Sequence, residues 1–385
     1  MDKKIIIGID ASNIKEGGGL THLIEILSNL DNDRNKIKKI IIWSSEQTLK
    51  YLPTNDLFVK ISPRQLNNGF IQQVIWQLFY LKKNLNFYKS DILFVPGGTA
   101  VTSFKPVVVM CQNMLPFDYR EIKKYKFHLR YFKLILLSIL QLRTFKSSEG
   151  IIFLSNYAKK KIFNLIPNKY INHITIPHGI NIRFKNIPKK LAENYKFTNN
   201  NPCKLLYVST IDFYKNHLNV VKAVKKLRDK GFSIELMLAG SYYPPAKRQL
   251  DKYIKLLGND NVWIKYLNNL KYDELHELYK IADIGIFASS CENLPNIIIE
   301  MMASGLPICS SKSGPMIEVL GNSCLYFDHD NVNQISDSIE LYLNSSELQN
   351  TKAKEAFKMS NKYSWEKCSE DTFDFLYSVV GKFEK

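Results

Sequence analysis

The sequence has no closely spaced cysteine pair. Its six cysteines (Cys111, Cys203, Cys291, Cys309, Cys324, Cys368) are scattered over 385 residues. That pattern excludes a zinc site and a disulfide framework and points to a reducing compartment. No apolar run approaches the roughly 20 residues of a membrane-spanning helix. The run at 5–9 stops at Asp10 and reads as a β-strand rather than an export signal, and the one from Tyr131 to Leu142 is broken by Lys133. Acidic residues are in deficit, 36 Asp and Glu against 53 Lys and Arg, for a formal charge of +17. Such an excess suits an anionic partner, and nucleic acid, an acidic membrane and phosphorylated substrates all satisfy it. Neither G-x-G-x-x-G nor Gly-Lys-Ser/Thr follows the first strand, which excludes the dinucleotide fingerprint and the P-loop. Internal repeats and low-complexity tails are also missing.

What is there is ordinary for a globular protein: 45% apolar and 23% charged residues, in a chain long enough for two domains. Short β-branched runs recur at 4–9, 38–43, 91–95, 106–111, 150–154, 172–176, 204–209, 233–239, 261–265 and 283–288. Helical periodicity fills 20–30, 70–87, 119–146, 156–165, 216–230, 246–257, 272–282 and 364–383. Alternating strands and helices, with near-continuously apolar strands, predict α/β domains whose parallel sheets are covered on both faces. The pattern lapses from about 182 to 203, a polar, basic, Asn-rich stretch with Pro188 and Pro202. The expected division is therefore a first Rossmann-like domain over 1–185 and a connection over 186–203. A second Rossmann-like domain follows over 204–363. Ligands of such doubly wound sheets bind beyond the carboxyl ends of the strands, here expected in a cleft between the domains.

The sharpest local pattern runs from Ser289 to Glu300, SSCENLPNIIIE. It leaves a strand and opens a helix near Pro295, placing Glu292 in the loop and Glu300 on the helix's first turns. Free backbone N–H groups at that helix start make an anion or hydroxyl site. Two carboxylates beside it can each grip a pair of vicinal hydroxyls, as on a ribose and a hexose. Glutamate on a helix is most often a solvated surface residue. Here, however, Glu300 is followed by MMASGLPIC, too apolar a setting for that. A second pattern, LYVSTIDFYKN over 206–216, sets Lys215 between a strand and a helix. There it can neutralise a leaving diphosphate, or merely decorate the helix start. In a third, Gly17, Gly18 and Gly19 precede the first helix, as a phosphate-approaching loop or a plain turn. In a fourth, the strand 106–111 ends in Gln112 and Asn113.

The segment ENLPNIIIEMMASGLPI, residues 292–308, resembles the Glu-x7-Glu signature of retaining family 4 glycosyltransferases. The resemblance extends over most of the chain and is sharper in the C-terminal half. It implies the two-domain GT-B fold, with 364–385 forming a helix that packs back on the N-terminal domain. It also implies transfer of a hexosyl group from a nucleoside-diphosphate sugar. In that reading Glu300 binds the ribose, Glu292 contacts hydroxyls of the transferred sugar, and the amides of Asn293 and Leu294 assist. Lys215 and the Gly17–Gly19 turn bind the donor phosphates. Thr210 stands where relatives commonly carry Arg, and Gln112 where many carry His. Gln112 cannot serve as a base, so with Asn113 it is left as a hydrogen-bonding sugar contact. Pro177-His178-Gly179 matches a family turn, with His178 structural. The resemblance implies no metal and no cofactor, and no D-x-D motif is expected to serve as a metal site in a strand-end loop.

Residues 120–146 combine many Lys and Arg with Tyr, Phe and Leu at helical spacing. The stretch is either an anionic-membrane face or a core helix with a solvated basic side. The partners expected are thus the donor, a saccharide acceptor (lipid-linked, in surface polysaccharide, lipopolysaccharide or capsule assembly) and an anionic membrane at the cytoplasmic face. Nucleic acid is not among them, since no binding module is recognisable. A nucleotide-sugar epimerase of the same fold and a non-catalytic basic binding protein are the alternatives.

Overall fold

The computed structural model describes residues 4–31, 36–166, 171–258, 262–268 and 274–383. The chain forms two compact units. The first comprises residues 1–117, 127–179 and 364–385, and the second 118–126 and 180–363.

Among the described residues the first unit holds a sheet of seven strands: β1 (Ile5–Asp10), β2 (Ile37–Trp43), β3 (Phe58–Ile61), β4 (Ile92–Val95), β5 (Val107–Cys111), β6 (Gly150–Phe153) and β7 (Asn172–Thr175). Its order is β3-β2-β1-β4-β5-β6-β7, and every pairing is parallel. Strands β4, β5 and β6 are buried throughout, as their unbroken apolar runs require when helices cover both faces. The second unit holds β8 (Cys203–Val208), β9 (Ile234–Ala239), β10 (Ile264–Tyr266), β11 (Ile284–Phe287), β12 (Ile308–Ser311) and β13 (Leu325–Phe327). These run β10-β9-β8-β11-β12-β13, again all parallel. This is the GT-B pair of doubly wound α/β folds.

Three details depart from the sequence pattern. The stretch 119–146 is not one helix: a short helix Tyr119–Lys123 ends, and a new one, Leu129–Ser147, begins after His128. The first piece lies in the second unit, where the Tyr125 hydroxyl donates to Asp212 at 2.6 Å, and its ring packs on Phe213 and Tyr243. The helix over 70–87 carries a π turn at Gln77–Leu81 between α-helical segments. Residues 186–203 also join the second unit rather than standing apart. Asn186 N–H donates to Ala303 O, Lys189 pairs with Asp283, and Leu191 exchanges hydrogen bonds with Asn350. Gly305 permits this packing, since its φ is +66° and an added Cβ would lie 2.7 Å from Pro188 Cα. The strand expected from 261 and the helix expected from 272 begin in residues outside those described.

The final helix, Trp365–Phe383, belongs to the first unit and packs on the Gly17–Ser28 helix, where Ser369 Oγ donates to Ile26 O at 2.7 Å. All six cysteines are buried and unbonded to one another.

Candidate active site

In the second unit the chain leaves β8 through Ser209 to Asp212, makes a tight turn at Phe213–Lys215, and enters the helix His217–Asp229. Asn216 closes that turn with φ +54°, a left-handed conformation that asparagine tolerates better than most residues. Three hydrogen bonds tie the turn to the loop after β11. Asn216 Nδ2 donates to Ala288 O (2.9 Å), and Ser290 donates to Tyr214 O from both its backbone N–H (2.8 Å) and its hydroxyl (3.0 Å). From below, the Tyr207 hydroxyl donates to Lys215 O at 2.6 Å. The loops after two adjacent strands are thus locked together, and their side chains meet at one point.

That point is an ion pair between Lys215 Nζ and Glu292 Oε1. Both side chains are largely buried, at 8% and 14% exposure. The Lys215 ammonium lies 4.9 Å from the Tyr214 ring centroid and 5.4 Å from that of Phe287. Burial alone would lower the Lys215 pKa; the Glu292 carboxylate more than offsets it and leaves the amine above its usual range. Removing two charges from water is costly, so a pair held this deep is weak evidence of stabilisation and better evidence of a retained function. Below the pair, His217 is 2% exposed and stacks on Tyr207, with ring centroids 4.4 Å apart. Burial, and then the Lys215 charge, push His217 down to about 3, so its ring is neutral.

Asn293 and Leu294 are buried beside Glu292, and the helix Asn296–Ala303 starts after Pro295. Glu300 is 2% exposed on that helix and accepts a hydrogen bond from the Tyr279 hydroxyl at 2.8 Å. Tyr279 is itself fully buried and packs edge-on against Phe184. Glu292, Asn293, Leu294 and Glu300 thus share one loop and helix, with Lys215 brought to Glu292 by the neighbouring strand. Thr210 is exposed and bonded to the Ser241 hydroxyl at 3.0 Å.

In the first unit Gly17, Gly18 and Gly19 are not a loop ahead of the helix but its first turn. A Cβ on Gly19 would lie 2.9 Å from Gln112 Oε1, so this turn and the end of β5 touch. The Gln112 amide lies 3.3 Å from Met110 Sδ, and Asn113 is exposed with its Oδ1 accepting from Leu115 N–H. His178 is buried with its Nδ1 2.9 Å from that of His22, and both rings pack on Trp365.

Residues 189–359, which include Lys215, Glu292 and Glu300, match the glycosyl transferases group 1 family. That segment, somewhat under half of the chain, is what is similar to the family. It is 25% identical over 170 residues to the O-antigen chain mannosyltransferase B of Escherichia coli, an alignment covering 44% of each chain. It is 23% identical over 316 residues to the capsular polysaccharide biosynthesis glycosyltransferase CapM of Staphylococcus aureus, covering 78% of this chain and 82% of the relative. With an uncharacterized glycosyltransferase of Methanocaldococcus jannaschii it shares 25% identity, over 58% of this chain and 57% of the relative. Against the archaeal and Escherichia coli relatives, the chain spans about half their length. In fold it is similar to Anabaena HepE, solved with UDP and glucose, at a TM-score of 0.70 and 14% identity over 97% of this chain and 100% of that one.

The site residues also have partners that no local sequence pattern announces. Tyr279 reaches Glu300 across 21 residues and from a different element, so no local spacing announces it. The same holds for the Asp10 carboxylate at the end of β1. It is fully buried and takes hydrogen bonds from Gln77 (2.6 Å) and the Ser12 N–H (3.0 Å).

Proposed function

We propose that the chain transfers a hexosyl group from a nucleoside-diphosphate sugar to a saccharide acceptor, with retention of anomeric configuration. The observation that carries this reading is the buried Lys215–Glu292 pair beside Glu300, all within the segment that matches the family. In the proposal Glu300, oriented by Tyr279, accepts from the ribose hydroxyls. Glu292 accepts from hydroxyls of the sugar, and Asn293 and Leu294 supply backbone N–H donors. Lys215 exchanges its carboxylate partner for the β-phosphate, whose charge grows as the glycosidic bond breaks. Gly17, Gly18, Gly19 and Thr210 are retained as donor contacts, and Gln112 and Asn113 as sugar contacts. With no histidine at 112, the departing phosphate oxygen takes the acceptor's proton on the face the acceptor enters. Metal independence is part of the proposal: the cation opposite the diphosphate is Lys215.

The relatives named for O-antigen chain and capsular polysaccharide work favour an acceptor in surface polysaccharide assembly, and we extend this to a lipid-linked one. The first test is a thermal-shift and donor-hydrolysis panel of UDP, GDP, dTDP and ADP sugars on the wild type and Glu300→Ala, repeated with EDTA. A ligand in excess of its Kd raises Tm by mass action. Stabilisation by one nucleotide class, lost in Glu300→Ala and indifferent to EDTA, is expected. No stabilisation by any nucleotide would end the transferase reading. The anomeric configuration of a product, read by NMR, decides retention.

A further inference from the structure

Exposed apolar residues are not spread evenly. Of the 22 large apolar side chains exposed among the described residues, ten lie within 71–87 and 127–139 of the first unit. On the helix Leu129–Ser147 the exposed residues Leu129, Phe132, Leu136 and Ile139 recur at steps of three, four and three, which is one helix face. Arg143 and Lys146 continue that exposed side, and Lys133 flanks it. On the helical stretch Phe70–Phe87 the buried residues are Gln73, Trp76, Gln77, Leu81 and Leu85, while Phe79 and Phe87 stand outward beside exposed Lys82 and Lys83.

The two stretches cover the same side of the sheet. From β1 to β3 the strands are added in one direction; from β3 to β4 and from β5 to β6 they are added in the other. Right-handed crossovers therefore put both helical stretches on the face opposite the Gly17–Ser28 helix. Contacts agree, because both border the segment 99–105. Gln77 donates to Thr99 O, Lys82 Nζ reaches Ser103 Oγ, and Thr144 exchanges hydrogen bonds with Ala100. Neither 70–90 nor 127–148 contains a single Asp or Glu. Lys83, Lys133, Arg143 and Lys146 form no ion pair among the described residues.

We infer that this two-helix face docks onto the surface of an anionic phospholipid bilayer. The apolar side chains enter the interface, and the unpaired cations meet the head-group phosphates. A second copy of the chain fits less well, since a self-complementary contact would set these cations against each other. The inference deepens the proposed function by stating where a lipid-borne acceptor would be met, and only that link rests on the transferase reading.

The test is co-sedimentation of the full chain with vesicles of phosphatidylcholine alone and of phosphatidylcholine with phosphatidylglycerol. Wild type should bind the anionic vesicles, and binding should fall with salt. Both Phe132→Ser/Ile139→Ser and Lys133→Glu/Arg143→Glu should weaken it by about ten-fold or more with Tm unchanged. Indifference of the wild type to anionic vesicles overturns the inference. So does equal binding by both variants, or light scattering that shows a dimer abolished by Phe132→Ser/Ile139→Ser. Retention of an RNA homopolymer without vesicle binding would assign the charge to nucleic acid instead. Because the assay contains no nucleotide sugar, its failure leaves the donor reading standing, and a failed nucleotide panel leaves the vesicle result standing.

Discussion

Lys215 and Glu292 compensate each other in the unliganded site, and that makes their separate roles measurable. Lys215→Met leaves the largely buried Glu292 without its cation, which should lower Tm. Removing one transition-state charge partner should also cost roughly 10²–10³-fold in kcat. Adding Glu292→Gln to that variant should recover Tm, because no uncompensated charge remains, while activity stays low. Recovery of both would show the pair to be a structural bridge. Tyr279→Phe tests the less visible partner. Losing one hydrogen bond to a charged acceptor should raise the nucleotide Kd by about ten-fold in calorimetry, with the fold intact. An unchanged Kd would remove Tyr279 from the site. The two glutamates and the lysine were legible because they lie in local patterns, strand then turn then helix. Tyr279, Tyr207 and the Ser290–Tyr214 tie were not, because they come from separate elements and only tertiary packing joins them.

The alternation of apolar strands and amphipathic helices is strong enough to read the parallel sheets directly, since continuous burial demands continuous apolar runs. The elements not expected are β3 and β13, short strands whose residues carry little periodic signal, and the helices Val332–Asn344 and Ser346–Ser360 of the second unit. The break at 124–128 was equally hidden, because its sequence, KYKFH, has no glycine or proline. Gly179 is the residue at which the chain passes from the first unit to the second. An added Cβ would sit 2.1 Å from the Trp365 backbone nitrogen, so no side chain fits between this turn and the last helix. Gly179→Ala should destabilise the first unit by about 1–3 kcal/mol or more, as overpacking does. Amide exchange should show lost protection in Trp365–Phe383 and in Gly17–Ser28, and little change around Lys215. Uniform loss of protection would contradict the division into units.

Acid should weaken both units. Burial drives His178 down to about 3, and burial together with His178 drives His22 well below its usual value, while His217 titrates near 3 in the second unit. An unfolded histidine takes up its proton near pH 6.5, so below that the unfolded chain binds more protons than the folded one. Stability is therefore fully present above about pH 6.5 and is lost toward pH 3, by up to roughly 1.4 kcal/mol per pH unit for each ring. Asp10 acts in the opposite sense, since burial raises its carboxyl and the folded state holds that proton longer. Denaturation midpoints at several pH values should fall steadily below about pH 6.5, and less steeply in His178→Gln. A flat profile would mean the rings are not neutral in the fold.

The placement of Trp365–Phe383 also bears on how the protein is made. On a ribosome the strands β1 to β7 emerge first, yet the helix that covers the Gly17–Ser28 side arrives only after residues 180–363 have been synthesised. At ordinary elongation rates that interval is on the order of ten seconds or more. Through it the nascent first unit leaves uncovered the side of the Gly17–Ser28 helix on which Trp365–Phe383 later packs, with Ser369 Oγ bonded to Ile26 O. The second unit has no such wait for its own core. The half that begins first is therefore the half that finishes last.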